Sequence, residues 1–217
     1  MVKILYNKFD KKQIPTLPRV SFPGRIVVVL SESEANRAVD YLMTKDILGI
    51  DTETRPSFRK GSYHQVALLQ VAAKDICFLF RLNIIGITDS IVRLLEDKSI
   101  PKIGLSLNDD MLMLRHRRAF TSGSFIDLQQ VVGDFGIEDR SLQKLYANIL
   151  GGHIVKREQL SNWEQAVLTE RQKLYAATDA WACVMIYEEL KRLRLTDDFV
   201  LETVTEETNN TASTIKE

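Results

Sequence analysis

Cysteine is scarce: Cys77 and Cys183 are the only two, and they form no CxxC pair. A cysteine-based zinc site and a disulfide framework are therefore excluded, and a reducing compartment is the expectation. No apolar run approaches the ~18 residues of a membrane span, and the longest compact runs, such as 26–30, are strand-sized. The opening residues MVKILYNKFDKK lack a long apolar stretch and a small-residue cleavage site, so a cytoplasmic protein without membrane attachment is expected. Neither G-x-x-x-x-G-K-[ST] nor G-x-G-x-x-G occurs, which leaves P-loop and dinucleotide-binding readings unsupported. An excess of charge is missing too. Twenty-nine basic residues balance 29 acidic ones, so any contact with nucleic acid must use local patches.

What is present is a chain of 217 residues with 45% apolar content. That length suits one large domain, which should bury ~70% of its unfolded surface without covalent staples. Charge is polarised along it. Residues 1–25 carry Lys3, Lys8, Lys11, Lys12, Arg19 and Arg25 against Asp10, while residues 197–217 carry six acids against Lys216. Three prolines and weak periodicity make residues 1–24 an irregular arm. Residues 196–217 read as an acidic, disordered tail, most clearly in the Thr/Asn-rich stretch from Val204 onward.

Between them lies the domain, 25–195. Strands are predicted at 25–30, 47–51, 66–72, 76–80, 101–105 and 125–128, with a hairpin turn at Lys74 and Asp75. Helices are predicted from a capping box at Ser31 and Glu34 to about residue 44, then at 88–95, 109–117 and 142–150. A long one at 170–193 starts from a second capping box, Thr169 and Gln172. Strands alternating with helices imply an α/β domain with a mixed sheet flanked by helices.

Three acidic clusters carry the chemistry. Asp51-Thr52-Glu53 ends an apolar strand, where residues i and i+2 point to one side and the two carboxylates converge. Like charges so close repel, and a divalent cation removes that cost; the plainer reading is two solvated acids at a strand end. Tyr175 and Asp179 stand four apart in the long helix, stacked on one face that Ala182, Cys183 and Ile186 continue, so that face should be buried. The alternative there is a surface Tyr–Asp pair. Asp109 and Asp110 open a third helix, where one acid suits the helix dipole and a second is left over to face the sheet edge.

The pattern D-x-E … N-x-D … Y-x-x-x-D, with the runs LSNW at 160–163 and LTERQKLYAATDA at 168–180, resembles the DEDD superfamily of 3′–5′ exonucleases, tyrosine subtype, and within it ribonuclease D and Werner-type exonuclease domains. The resemblance covers roughly residues 28–193. It implies a ribonuclease-H-like fold and a site in which Asp51, Glu53, Asp110 and Asp179 hold two divalent cations, Mg²⁺ or Mn²⁺, while Tyr175 orients the attacking water. Asp110 is read as the second-motif acid because Gly104 then keeps the family spacing, with Asp109 as its rival. The substrate implied is the 3′ end of DNA or RNA. No histidine is required, and His64, His116 and His153 are expected at the surface or in loops.

Candidate substrate contacts are Thr52, Asn108, Lys156, Ser161 and Asn162. Arg55, Arg59, Lys60 and His64 follow the first motif, and Arg157 and the run Arg115–Arg118 add further basic residues. The group after the first motif is equally readable as solvated loop and the run Arg115–Arg118 reads first as helix-end charge, whereas the segment holding Lys156 and Arg157 reads as contact with the nucleic-acid strand. Trp163 is expected to anchor its loop from a buried position. Two other classes compete. A haloacid-dehalogenase-type phosphatase loop, D-x-D-x-T, fits Asp51 to Thr54 except at Glu53 and leaves the YAATDA run unexplained. A non-catalytic nucleic-acid-binding module on the same fold would have no need of four converging acids.

Overall fold

In the computed structural model, which describes residues 2–58, 61, 63–155 and 157–204, the chain opens with strand β1 (Lys3–Tyr6). It passes a 3-10 turn at Lys11–Thr16 and a two-residue strand β2 (Arg19–Val20), then enters the main sheet at β3 (Arg25–Val29). Helix α1 (Glu32–Leu42) follows, capped reciprocally by Ser31 and Glu34, an arrangement that satisfies two otherwise orphaned backbone donors. Strands β4 (Leu48–Thr54), β5 (Val66–Ala72) and β6 (Ile76–Phe80) come next, then the single turn α2 (Leu82–Ile85) and α3 (Asp89–Glu96). The second half contains β7 (Lys102–Gly104), α4 (Leu107–Arg117), β8 (Phe125–Asp127), α5 (Leu128–Gly133), α6 (Leu142–Leu150) and β9 (His153–Ile154). It ends with the 27-residue helix α7 (Glu170–Thr196) and β10 (Phe199–Glu202).

The main sheet has the order β3-β6-β5-β4-β7-β8. Strand β5 is antiparallel to both neighbours, and the other pairings are parallel. Every residue of β5 is buried, as a central strand covered on both faces must be. From Leu68 onward its side chains alternate between the two layers. Leu68 and Ala72 join the apolar cluster under α5, α6 and α7, whereas Leu69 and Val71 join the one under α1, α3 and α4. The strand that ends in Asp51 and Glu53 therefore lies mid-sheet, with α7 across one face.

The ends of the chain depart from the sequence expectation. Residues 2–24 carry regular structure: β1 pairs in parallel with β10, and β2 with β9. Leu5 and Phe22 are buried in the core. Short strands carry too little periodicity to read from sequence, and their pairing is long-range. The tail likewise stays ordered through β10, because Phe199 packs on Phe135 at 5.1 Å between ring centroids; residues 205–217 lie outside the described residues. Helix α4 starts at Leu107, two residues before the predicted start. Its first N–H groups are capped by a residue distant in sequence, Asp127, whose carboxylate accepts from the backbone N–H of Ser106 at 3.0 Å and of Leu107 at 2.9 Å. Ser106 takes a left-handed conformation, φ 60°, to make that turn.

Candidate active site

Asp51 and Glu53 leave β4 on the face covered by α7. The helix crosses β4 at Gly49, so closely that a Cβ there would stand 1.9 Å from the carbonyl oxygen of Ala180. That approach, which only glycine permits, sets Asp179 beside the strand end. Carboxylate oxygens of Asp51, Glu53 and Asp179 lie within 4.8 Å of one another, a spacing that one cation can span. Asp110 is outside this trio. It reaches the site from α4 and accepts a hydrogen bond from the Thr52 hydroxyl.

The electrostatics match the crowding. Burial, then the charges of Asp51, Asp179 and Asp110, push the Glu53 carboxyl up to about 10. Asp51 is raised well above the usual carboxylate range by burial and by Asp179 and Asp110. Burial raises Asp110 to about 6, with the Thr52 hydrogen bond pulling the other way. No lysine or arginine among the described residues forms an ion pair with Asp51, Glu53 or Asp110. An all-oxygen cluster of this kind fits hard divalent cations.

Tyr175 stands one turn before Asp179 on α7 and donates its hydroxyl to that carboxylate. Burial and the surrounding acids push the phenol far above its ordinary value, so it serves as a neutral hydrogen-bond donor. Its ring packs 6.1 Å from that of Trp163, which is fully buried and anchors its loop.

The other sequence candidates divide. Asn108 is exposed at the start of α4, as is Asp109. Ser161 donates to Glu158 at 2.7 Å, and the Asn162 side-chain oxygen accepts from the backbone N–H of Glu164 at 3.1 Å, so both side chains shape their own loop. Lys156, Arg59 and Lys60 lie outside the described residues. Arg55 and His64 both meet Glu164, at 3.2 and 3.0 Å, tying the loop after the first motif to the loop before α7. The run at the end of α4 is structural: Arg117 donates to the carbonyls of Val66 and Leu82, and Arg118 to that of Ile87. Sequence reasoning missed Asp127, Glu164 and Gln70. The last lies directly across the sheet from Asp51, fully buried, with neither amide atom hydrogen-bonded among the described residues. Only a buried polar residue inside an apolar strand run, VALLQVA, signals it.

A family model described as 3′–5′ exonuclease matches residues 26–194. The chain is 33% identical over 187 residues to the bifunctional 3′–5′ exonuclease/ATP-dependent helicase WRN of Mus musculus, covering 82% of this chain but only 13% of that protein. It is 31% identical over 209 residues to a protein of Arabidopsis thaliana named 3′–5′ exonuclease, covering 87% of this chain and 72% of the relative. Among solved structures, the Aedes aegypti Nibbler EXO domain superposes with a TM-score of 0.72 at 19% identity, over 81% of this chain and 91% of that one. The mixed sheet with flanking helices is the ribonuclease-H-like fold of such domains. This chain belongs to the 3′–5′ exonuclease family.

Proposed function

We propose that the chain is a metal-dependent exonuclease of the DEDD tyrosine subtype, hydrolysing phosphodiester bonds from the 3′ end of DNA or RNA and releasing nucleoside 5′-monophosphates. The observation that carries this reading is the meeting of Asp51, Glu53 and Asp179 within 4.8 Å, with Tyr175 one turn from Asp179. Asp51, Glu53, Asp110 and Asp179 are assigned as ligands of two divalent cations, Mg²⁺ or Mn²⁺. When bound, such a pair neutralises charge on the attacking and leaving oxygens of an in-line displacement and acidifies the attacking water. Tyr175, held by Asp179, offers its hydroxyl to orient that water. Thr52 fixes the Asp110 carboxylate through its hydroxyl.

Asn108 and Lys156 are kept as contacts to the strand, while Ser161 and Asn162 act on it through the loop they shape. Residues 25–195 are assigned as the catalytic unit and residues 1–24 as an N-terminal arm, whose strands β1 and β2 pair with β10 and β9. Among the described residues no helix is long and apolar enough to cross a membrane. Two buried free thiols, Cys77 and Cys183, support a cytoplasmic, reducing setting.

The test uses 5′-labelled single strands and recessed duplexes of DNA and RNA with Mg²⁺ or Mn²⁺. A ladder shortening from the 3′ end, abolished by EDTA, is the expected result. Cleavage that survives EDTA, or internal cuts, would overturn the reading.

A further inference from the structure

A hollow of about 310 Å³ opens beside Tyr175, yet none of the four acids lines it. Three elements wall it: β2 supplies Arg19 and Val20, the segment after β9 supplies Arg157, and the first turns of α7 supply Arg171 and Leu174. None of the three arginines forms an ion pair among the described residues. The acid of the lining, Glu158, accepts the Ser161 hydroxyl at 2.7 Å. The three arginines are exposed, and with Glu158 they leave the lining two positive charges in excess. Arg171 sits in the first turn of α7, where the helix dipole favours an anion. An anion in the hollow meets both, and planar guanidinium groups match phosphate oxygens.

The wall is built rather than draped. Arg19 and Val20 pair in register with His153 and Ile154, and the His153 N–H donates to the Pro18 carbonyl at 2.9 Å. The Phe22 N–H donates to the Thr178 hydroxyl at 2.9 Å, and its ring lies 6.1 Å from that of Trp181. Gly152 admits this packing, since a Cβ there would stand 2.6 Å from a Val20 methyl carbon.

The geometry points to a phosphate-binding subsite between the arm and α7 that takes a backbone phosphate on the 5′ side of the scissile bond. This rests on the exonuclease reading above. Hydrolysis at the acids places the last phosphodiester there, and every other phosphate of an unmodified strand lies 5′ of it. Val20 and Leu174 give the adjoining sugar or base an apolar surface, the combination that single-strand grooves use. A 3′-terminal phosphate is the other source of the same chemistry.

The test compares Arg19→Gln, Arg171→Gln and their double variant with the unaltered chain, on a single-stranded oligonucleotide over a salt series. Each single change should raise KM roughly tenfold, the value of one charge-assisted hydrogen bond. The slope of log KM against log salt should become shallower by about 0.7 for each arginine–phosphate pairing removed. The kcat/KM for the strand relative to that for a nucleoside 5′-monophosphate aryl ester, which has no 5′-side phosphate, should fall by the same factor. Unchanged KM and slope in the double variant would overturn the subsite. An equal loss on the ester, or a loss confined to strands ending in a 3′-phosphate, would overturn its 5′-side assignment. Fluorescence anisotropy of the labelled strand, with the same changes in an Asp51→Asn background, reads the subsite without turnover. A chain that shortens no strand but shows the anisotropy loss would refute the exonuclease reading and leave the subsite standing.

Discussion

Asp109 and Asp110 are sequence neighbours with opposite surroundings. Asp109 is exposed, while Asp110 accepts the Thr52 hydroxyl and its charge reaches Asp51 and Glu53. Asp110→Ala should therefore abolish turnover and Asp109→Ala should keep most of it, with steady-state rates on a labelled strand as the measurement; the reverse pattern would shift the assignment by one residue. Tyr175→Phe keeps the ring against Trp163 and removes only the hydroxyl. A kcat fall of roughly 10²–10⁴-fold with little change in KM is expected, the mark of an interaction made chiefly in the transition state. Full activity would mean that another group positions the water. The convergence of Asp51 with Glu53 and of Tyr175 with Asp179 was legible in sequence because strand and helix periodicities fix which side chains share a face; the roles assigned to them come from the family resemblance. Gln70 was not legible, since its burial depends on what α7 lays over the strand.

At the scale of elements, the site depends on how closely α7 approaches β4. Gly49→Ala would drive a methyl group into the Ala180 carbonyl, a backbone atom that moves only with the whole helix. Overpacking of this kind costs about 1–3 kcal/mol. It should also widen the separation of Asp179 from Asp51, so the half-saturating Mn²⁺ concentration should rise together with a lowered thermal midpoint. Unchanged metal dependence would show that the helix accommodates the methyl group elsewhere. Long elements with local signals were legible from sequence: α1 and α7 at their capped starts, and α6 at both ends. The start of α4 was not, because its cap, Asp127, comes from another strand, and no local pattern reports a partner ~20 residues away.

Across the whole molecule, the two ends of the described chain are joined. Lys3 of β1 and Arg192 of α7 both hold Glu189, and the Arg192 hydrogen bonds, then Lys3, lower its carboxyl to about 2. A carboxyl lowered on folding contributes stability above its unfolded value near 4.5, and loses it as pH falls toward 2. The stability difference between the unaltered chain and Glu189→Gln should therefore be constant near neutral pH and vanish across that acid window, as read by urea unfolding at a series of pH values. A difference independent of pH would assign the effect to packing.

The parallel pairing of β1 with β10, from Lys3 opposite Phe199 to Tyr6 opposite Glu202, also decides how the fold bears force. Chain leading into β1 and chain leaving β10 emerge at opposite ends of the ladder. Tension between them slides one strand along the other, loading all the hydrogen bonds of the pair together instead of peeling them one at a time. The joint resists as a unit and shields the arm, and the hollow beside Tyr175, from a pull on the flanking chain.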